Sequence, residues 1–271
     1  MNYGKRNLKI SVWNINGYIC KGKKKFKDPY FLEKVSSNDI FCLLETHCDP
    51  DQCLSLDEFP NPVHLVRSKN KFRGKRFGGL SIYIKSTIRP GVKFLKHATS
   101  DYIWLKLNKS YFGLREDICI CFEFYILQKI RLQHPRTYRK WFYARTATEN
   151  DFIQFDSDKH IPLYNNYVSD QNLLPRDNQD KILNTRGRQL LQLCISSGLR
   201  ILNGRTMGDL TGSLFCFQPL GSSTVDYIIT SEDLLSSIIY FQVNKLKSDL
   251  SDHCQLLLWI LQWFKENIDA R

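Results

Sequence analysis

Asp39-Ile40-Phe41-Cys42-Leu43-Leu44-Glu45 is a continuous apolar run that ends in a carboxylate. Apolar residues without polar alternation read as a buried strand, and Glu45 then falls at the edge of a sheet, in a cleft. A second apolar run, Cys254 to Ile260, reads the same way and follows Ser251-Asp252-His253. Leu8 to Asn14, Leu80 to Ile84 and Tyr102 to Leu107 alternate as half-buried strands do, and Ile118 to Phe122 is more apolar. Further strands are expected at Val63–Arg67, Leu199–Arg205 (running into a turn), Gly212–Phe217 and Phe241–Lys247. Tyr30–Ser37 reads as a short helix. Gly187–Ser197 has helical spacing with Gly198 at its end. Ser231-Glu232-Asp233 looks like a helix start with acids in the first turn. Many short strands with a few helices between them fit two packed sheets.

The chain has 271 residues, 42% of them hydrophobic, enough for a sizeable core in a single domain over 1–271. Lys and Arg outnumber Asp and Glu by 39 to 27, a formal charge of +12. That balance points to a polyanionic partner, nucleic acid before membrane. The nine cysteines are scattered without a C-x-x-C pair, which argues against a zinc ribbon and for reduced thiols in a nuclear or cytoplasmic setting. Met1 to Arg6 lacks the apolar core of a signal peptide, and Leu256 to Phe264, broken by Gln262, is too short to span a bilayer.

Polar groups stand at the ends of the expected strands. Asn14-Ile15-Asn16-Gly17 closes the first one, as an Asx turn or as a pair of amides that position a ligand. Asp252 suits a hard cation, and His253 suits a phosphate contact or a proton transfer near neutral pH. Taken alone, each is equally a loop residue on a surface. Lys21 to Lys27 is a basic run around Phe26. Arg67 to Gly79 interleaves Phe72 and Phe77 with Lys69, Lys71, Arg73, Lys75 and Arg76, a pattern that suits phosphate contact with stacking or a solvated loop. Asn150 to Asp180 is rich in Asn, Asp and Pro and reads as a long surface loop.

Trp13-Asn14-Ile15-Asn16-Gly17, Leu43-Leu44-Glu45-Thr46-His47, Gly78-Gly79-Leu80-Ser81-Ile82-Tyr83-Ile84 and Ser251-Asp252-His253 resemble, in order, the motifs of the endonuclease/exonuclease/phosphatase superfamily. Within it the chain looks like the endonuclease domain of LINE-type (non-LTR) retrotransposons, over about Leu8 to Ile260. Gly221 to Thr230, which contains Asp226, matches a further motif. The resemblance implies an α/β fold, a four-layer α-β-β-α sandwich of two packed mixed sheets. It also implies a Mg²⁺- or Mn²⁺-dependent endonuclease that nicks DNA for target-primed reverse transcription, with water attacking phosphorus in line with the leaving 3′-oxygen. Glu45 would hold the metal with Asn14 nearby, and Asp252 would support the metal or the water. Asp226 would orient His253, which steadies the transition state. Lys24, Lys71, Arg73, Lys75 and Arg76 would grip DNA phosphates.

The chain departs from the family at Phe124 to Arg145. The family's strand ending in Gly-Asp-Phe-Asn-Ala-Arg survives as Lys140-Trp141-Phe142-Tyr143-Ala144-Arg145, with Trp141 in the place of the Asp and Tyr143 in the place of the Asn. This stretch looks decayed or frame-shifted. Trp neither accepts a proton nor binds Mg²⁺. A catalytically dead nucleic-acid-binding relic is therefore the alternative to an active nuclease. A phosphatase acting on a small phosphoester is a third reading, against which the basic loops lean. Phe215 stands where the family usually has Thr.

Overall fold

The computed structural model describes residues 7–20, 23–49, 54–67, 78–95, 102–114, 116–122, 126–129, 144–152 and 175–261, with the backbone alone at 20, 23 and 126–129. In chain order the strands are β1 (Leu8–Asn14), β2 (Ile19–Cys20), β3 (Lys23–Lys24), β4 (Ile40–Leu44), β5 (Val63–Leu65), β6 (Leu80–Ile84), β7 (Val92–Phe94), β8 (Ile103–Leu107), β9 (Ile118–Phe122), β10 (Ile126–Lys129), β11 (Leu199–Ile201), β12 (Cys216–Gln218), β13 (Gly221–Ser223), β14 (Ile229–Ser231), β15 (Ile238–Val243) and β16 (Leu256–Ile260). The helices are α1 (Pro29–Ser36), α2 (Lys109–Phe112) and α3 (Thr185–Ser197).

Two six-stranded sheets carry the architecture, one ordered β15-β16-β1-β4-β6-β5 and the other β11-β14-β10-β9-β8-β7. Both are mixed. β1 runs parallel to β4 in the first and β10 parallel to β14 in the second, while the remaining neighbours are antiparallel.

The period-two alternation of side chains sorts the apolar residues into three interlayers. Leu8, Ile10 and Val12 of β1, Ile40 and Cys42 of β4, and Leu80, Ile82 and Ile84 of β6 meet Ile103, Leu105, Leu107, Ile118, Ile120 and Phe122 of the other sheet. The opposite face of the first sheet offers Trp13, Phe41, Leu43 and Tyr83 to Phe31 and Val35 of α1. The opposite face of the second offers Trp104, Cys119, Cys121 and Ile229 to Leu190, Leu191 and Cys194 of α3. The result is the expected four layers, helix–sheet–sheet–helix. Each fully buried Ile or Leu of the middle layer contributes about 1.5–3 kcal/mol.

The helices begin where local chemistry allows. Asp28 Oδ1 accepts the Phe31 amide at 3.1 Å and Pro29 occupies the first turn of α1. Asn184 Oδ1 accepts the Gly187 amide at 2.8 Å, and Gly198 ends α3 at φ 62°. A Cβ at Gly187 would lie 1.9 Å from the Arg145 carbonyl oxygen, so only glycine lets α3 start against that backbone.

Several expectations from the sequence need correction. The last antiparallel strand before the Ser251 loop spans Ile238–Val243 rather than Phe241–Lys247. Beyond it the chain turns, with the Lys247 carbonyl accepting the amides of Leu250 and Ser251. Of Gly212–Phe217 only the end is strand, because the Ser213 amide is bonded to Asp209 Oδ1. The acids Glu232 and Asp233 open a 3₁₀ helix, Glu232–Ser237. The described parts of Asn150–Asp180 have no helix or strand, as expected, but they are not simply solvated: Pro175, Asp177 and Gln179 are exposed while Asp151, Arg176, Asn178 and Asp180 are buried. They pay for burial with partners, Asp151 with Arg205 and Asp180 with Arg145. Trp141, Tyr143 and the rest of Phe124–Tyr143 apart from β10 lie outside the described residues. The described cysteines Cys42, Cys48, Cys119, Cys121, Cys194, Cys216 and Cys254 are buried. No described helix is long and apolar enough to cross a membrane.

Candidate active site at the carboxyl ends of β1 and β4

Because β1 and β4 are parallel, both release the chain at the same edge of their sheet, with Asn14 paired to Leu44 immediately before Glu45. β16 is antiparallel to β1, so its entry loop, Ser251–Cys254, returns to that edge. β6 is antiparallel to β4, which brings Gly78 and Gly79 there too. Topology thus collects four segments that are far apart in the chain.

The backbone at this edge is unusual. Asn16, Glu45 and His47 have φ of 45°, 50° and 50°, three of the five non-glycine residues with positive φ among the described residues. Such conformations cost about 1–3 kcal/mol each and persist where the surroundings enforce them. Here the Gly17 amide donates to Glu45 O at 2.6 Å, the Tyr18 amide to Thr46 O at 2.9 Å, and the His47 amide to Gly78 O at 2.9 Å.

Asn14 is buried, and its Oδ1 accepts the Asn16 amide at 3.1 Å, which is the Asx turn. Asn16 Nδ2 then donates to Asp252 Oδ1 at 3.2 Å. The first loop is held from below by buried Lys25, whose ammonium donates to the Ile15 carbonyl.

His253 is fixed from several sides. Its Nδ1 lies 2.6 Å from Asp226 Oδ2, its amide donates to Ser251 Oγ at 3.0 Å, and its carbonyl accepts Trp13 Nε1 at 2.9 Å. Ser251 Oγ in turn donates to Asn14 O at 2.7 Å. Asp226 enters from the other sheet, just ahead of β14, and buried Asn203 braces this loop by accepting the Ile228 amide at 3.1 Å and donating to Asp226 O at 3.4 Å. The imidazole–carboxylate pair therefore bridges the ends of the two sheets. Burial alone pulls the His253 pKa down, but the charge and hydrogen bond of Asp226, aided by a hydrogen bond with Cys216, hold it far above its ordinary value. The ring is an imidazolium at neutral pH, suited to an anionic phosphate.

Glu45 presents a carboxylate 39% exposed, and His47 Nε2 stands 3.6 Å from its Oε2. Burial lowers the His47 pKa; Glu45 opposes this, and Lys25 and Arg67 reinforce it. Glu45, Asp252 and Asn14 carry carboxylate and amide oxygens, the donor types a hard divalent cation takes. No group of three His, Cys, Asp or Glu side chains forms a metal cage among the described residues. Mg²⁺ is ordinarily held by one or two carboxylates and keeps several waters, so the donor types of Glu45 and Asp252 suit it without a cage.

Of the remaining expected contacts, Lys24 is exposed on the β2–β3 hairpin that follows Gly17, its Nζ 5.5 Å from the Phe26 ring centroid. Lys71, Arg73, Lys75 and Arg76 lie outside the described residues. Phe215 is fully buried in the middle layer. Trp13, Asn203 and His47 are parts of this arrangement that were given no role from the sequence, although Trp13 and His47 lie inside the motifs Trp13–Gly17 and Leu43–His47.

No family model matches the chain, and no curated protein matches it in sequence. Among solved structures it is similar to AP endonuclease LMAP from Leishmania major, at 15% identity and a TM-score of 0.53, over 95% of this chain and 88% of that one. That likeness carries the fold. Lower-scoring matches include an AP endonuclease from Archaeoglobus fulgidus (13% identity, TM-score 0.46, over 93% of this chain and 99% of that one) and an endonuclease/exonuclease/phosphatase protein from Beutenbergia cavernae (13%, 0.47, over 95% and 72%).

Proposed function

We propose that the chain is a retrotransposon-derived, divalent-metal-dependent DNA endonuclease that hydrolyses phosphodiester bonds and nicks one strand. The observation that carries this reading is the His253 imidazole held by Asp226 at 2.6 Å across the ends of the two sheets, in a chain whose half-exposed Glu45 leaves β4 at the sheet edge where the His253 loop returns. Glu45, with Asp252 or Asn14 beside it, would hold Mg²⁺ or Mn²⁺. The ion supplies charge neutralisation at the scissile phosphate.

The chain's own groups do the rest. His253, as imidazolium, binds a non-bridging phosphate oxygen, and Asp226 keeps its ring from rotating and its Nδ1 protonated. Ser251 and Trp13 hold the His253 backbone, so the ring does not need to be ordered when DNA arrives. Asn16, bonded to Asp252, fixes that carboxylate toward the same edge. Lys24 and the Arg67–Arg76 stretch supply phosphate contacts outside the reacting bond, in a protein of net charge +12.

The second reading, a non-cleaving nucleic-acid-binding relic, is favoured by one specific observation: Trp141 and Tyr143 stand where the resembled family has Asp and Asn. Losing cooperating groups of that kind costs orders of magnitude in rate. Glu45→Gln tests the metal-site part of the proposal. Metal-dependent nicking should vanish while DNA binding in EDTA is kept; nicking that persists unchanged places the metal elsewhere.

A further inference from the structure

We propose that His47 joins Glu45 as a second protein ligand, so that this edge of the sheet binds a first-row transition-metal ion such as Mn²⁺ or Co²⁺ more tightly than Mg²⁺. The proposal rests on the metal-site reading of Glu45 given above and adds to it the kind of ion the site prefers.

The geometry is that of a bite. Glu45 Oε2 and His47 Nε2 are 3.6 Å apart. Two donors each about 2.1 Å from one tetrahedrally coordinated ion such as Co²⁺, about 110–120° apart around it, stand about 3.4–3.6 Å from each other. The separation exceeds an ordinary hydrogen bond between these atoms and matches the span of two donors to one ion. Both side chains reach the surface, at 39% for Glu45 and 22% for His47, so an ion has access and keeps room for water.

The backbone is built for the arrangement. Glu45 and His47, two residues apart, both take φ of 50°, a conformation that ordinary side chains seldom adopt. The stretch between them is clamped on one side by the Gly17 and Tyr18 amides and on the other by the Gly78 and Gly79 carbonyls. Gly17 itself sits against the His47 ring, where a Cβ would come 3.4 Å from Nδ1.

The donor chemistry decides the preference. Mg²⁺ favours oxygen ligands, whereas imidazole suits later first-row ions, and affinity for a mixed N,O site rises from Mn²⁺ toward Co²⁺ and Ni²⁺. Calorimetric titration of the full chain with CoCl₂, MnCl₂ and MgCl₂, alongside the visible spectrum of bound Co²⁺, tests the proposal. The unaltered chain should bind Co²⁺ at least about tenfold more tightly than Mg²⁺. His47→Ala should remove that preference and leave Mg²⁺ affinity nearly unchanged. His47→Asn, which tolerates the same backbone conformation and offers an oxygen, should also lose it while remaining folded by circular dichroism. Co²⁺ affinity unaltered in both His47 variants, with Glu45→Gln still weakening all three ions, overturns the role of His47 but keeps Glu45 as ligand. A thiolate-to-Co²⁺ charge-transfer band places the ion on a cysteine and overturns the proposal. Failure of the unaltered chain to bind any of the three ions overturns both this inference and the metal site beneath it.

Discussion

The hydroxyl of Ser251 lies 2.7 Å from the main-chain oxygen of Asn14 and 3.0 Å from the amide nitrogen of His253. One buried side chain thus joins the end of β1 to the loop entering β16. Ser251→Ala removes both bonds and leaves a carbonyl and an amide to find other partners. We expect a loss of about 1–3 kcal/mol in urea unfolding. If nicking is present, its kcat should fall with little change in KM for DNA, because phosphate contacts elsewhere are untouched. Unchanged stability and kcat would show that the bridge is incidental.

Asp226→Asn removes the charge that holds His253 protonated. Burial then acts on the ring with little opposition, and its titration should move to near or below the ordinary value of about 6.5. In the unaltered chain the folded pKa is raised, to about 11. The stabilisation from the pair is therefore complete below the unfolded value, about 6.5, and is lost as pH climbs through the folded one. Ring proton resonances followed by NMR against pH check both statements. A His253 that titrates near 6.5 in the unaltered chain would contradict them.

Much of the fold was readable because strand burial repeats every two residues and helices carry caps. Leu8, Ile10 and Val12 announce the inner face of β1, and Gly198 announces the end of α3. The candidate site was readable as separate strand-end residues. The pairing of Asp226 with His253 was expected from the family resemblance alone, since the two belong to opposite sheets and meet only through tertiary packing that spacing does not reveal. Asp151, Arg176 and Asp180 misled for a related reason. Their partners, Arg205, the Asn203 carbonyl and Arg145, are 27 to 54 residues away in sequence, and a polar stretch with distant partners looks like a solvated loop.

Asp180 gives that network its own test. Its carboxylate accepts Arg145 Nε at 2.7 Å and Nη2 at 2.6 Å, and the amides of Thr224 and Ile182 at 3.0 and 3.1 Å. Asp180→Ala should destabilise by about 2–4 kcal/mol in denaturant unfolding, moderated by the partial exposure of Arg145. Burial raises the Asp180 pKa, but Arg145 and the two amides outweigh it and hold the carboxyl below its usual range. Its stabilising effect is present above about pH 4 and declines as pH falls through the lowered value. A variant as stable as the parent at pH 7 would remove the network from the account.

Replacing Lys71, Arg73, Lys75 and Arg76 together should weaken DNA binding and flatten its dependence on salt, by up to about four units of slope if all four touch phosphate. Fluorescence anisotropy across a KCl series measures this. An unchanged slope moves the interface to other cations.

We propose that Glu45, Asp226 and His253 form a metal-dependent nuclease site. The most direct measurement is nicking of supercoiled plasmid with Mg²⁺ or Mn²⁺, beside EDTA and His253→Ala, by the natural chain and by the double variant Trp141→Asp, Tyr143→Asn. The account predicts metal-dependent nicking that His253→Ala abolishes. If only the double variant nicks, the site is intact and the natural chain is the non-cleaving relic. Absence of nicking from both, with circular dichroism showing folded protein, would contradict the claim.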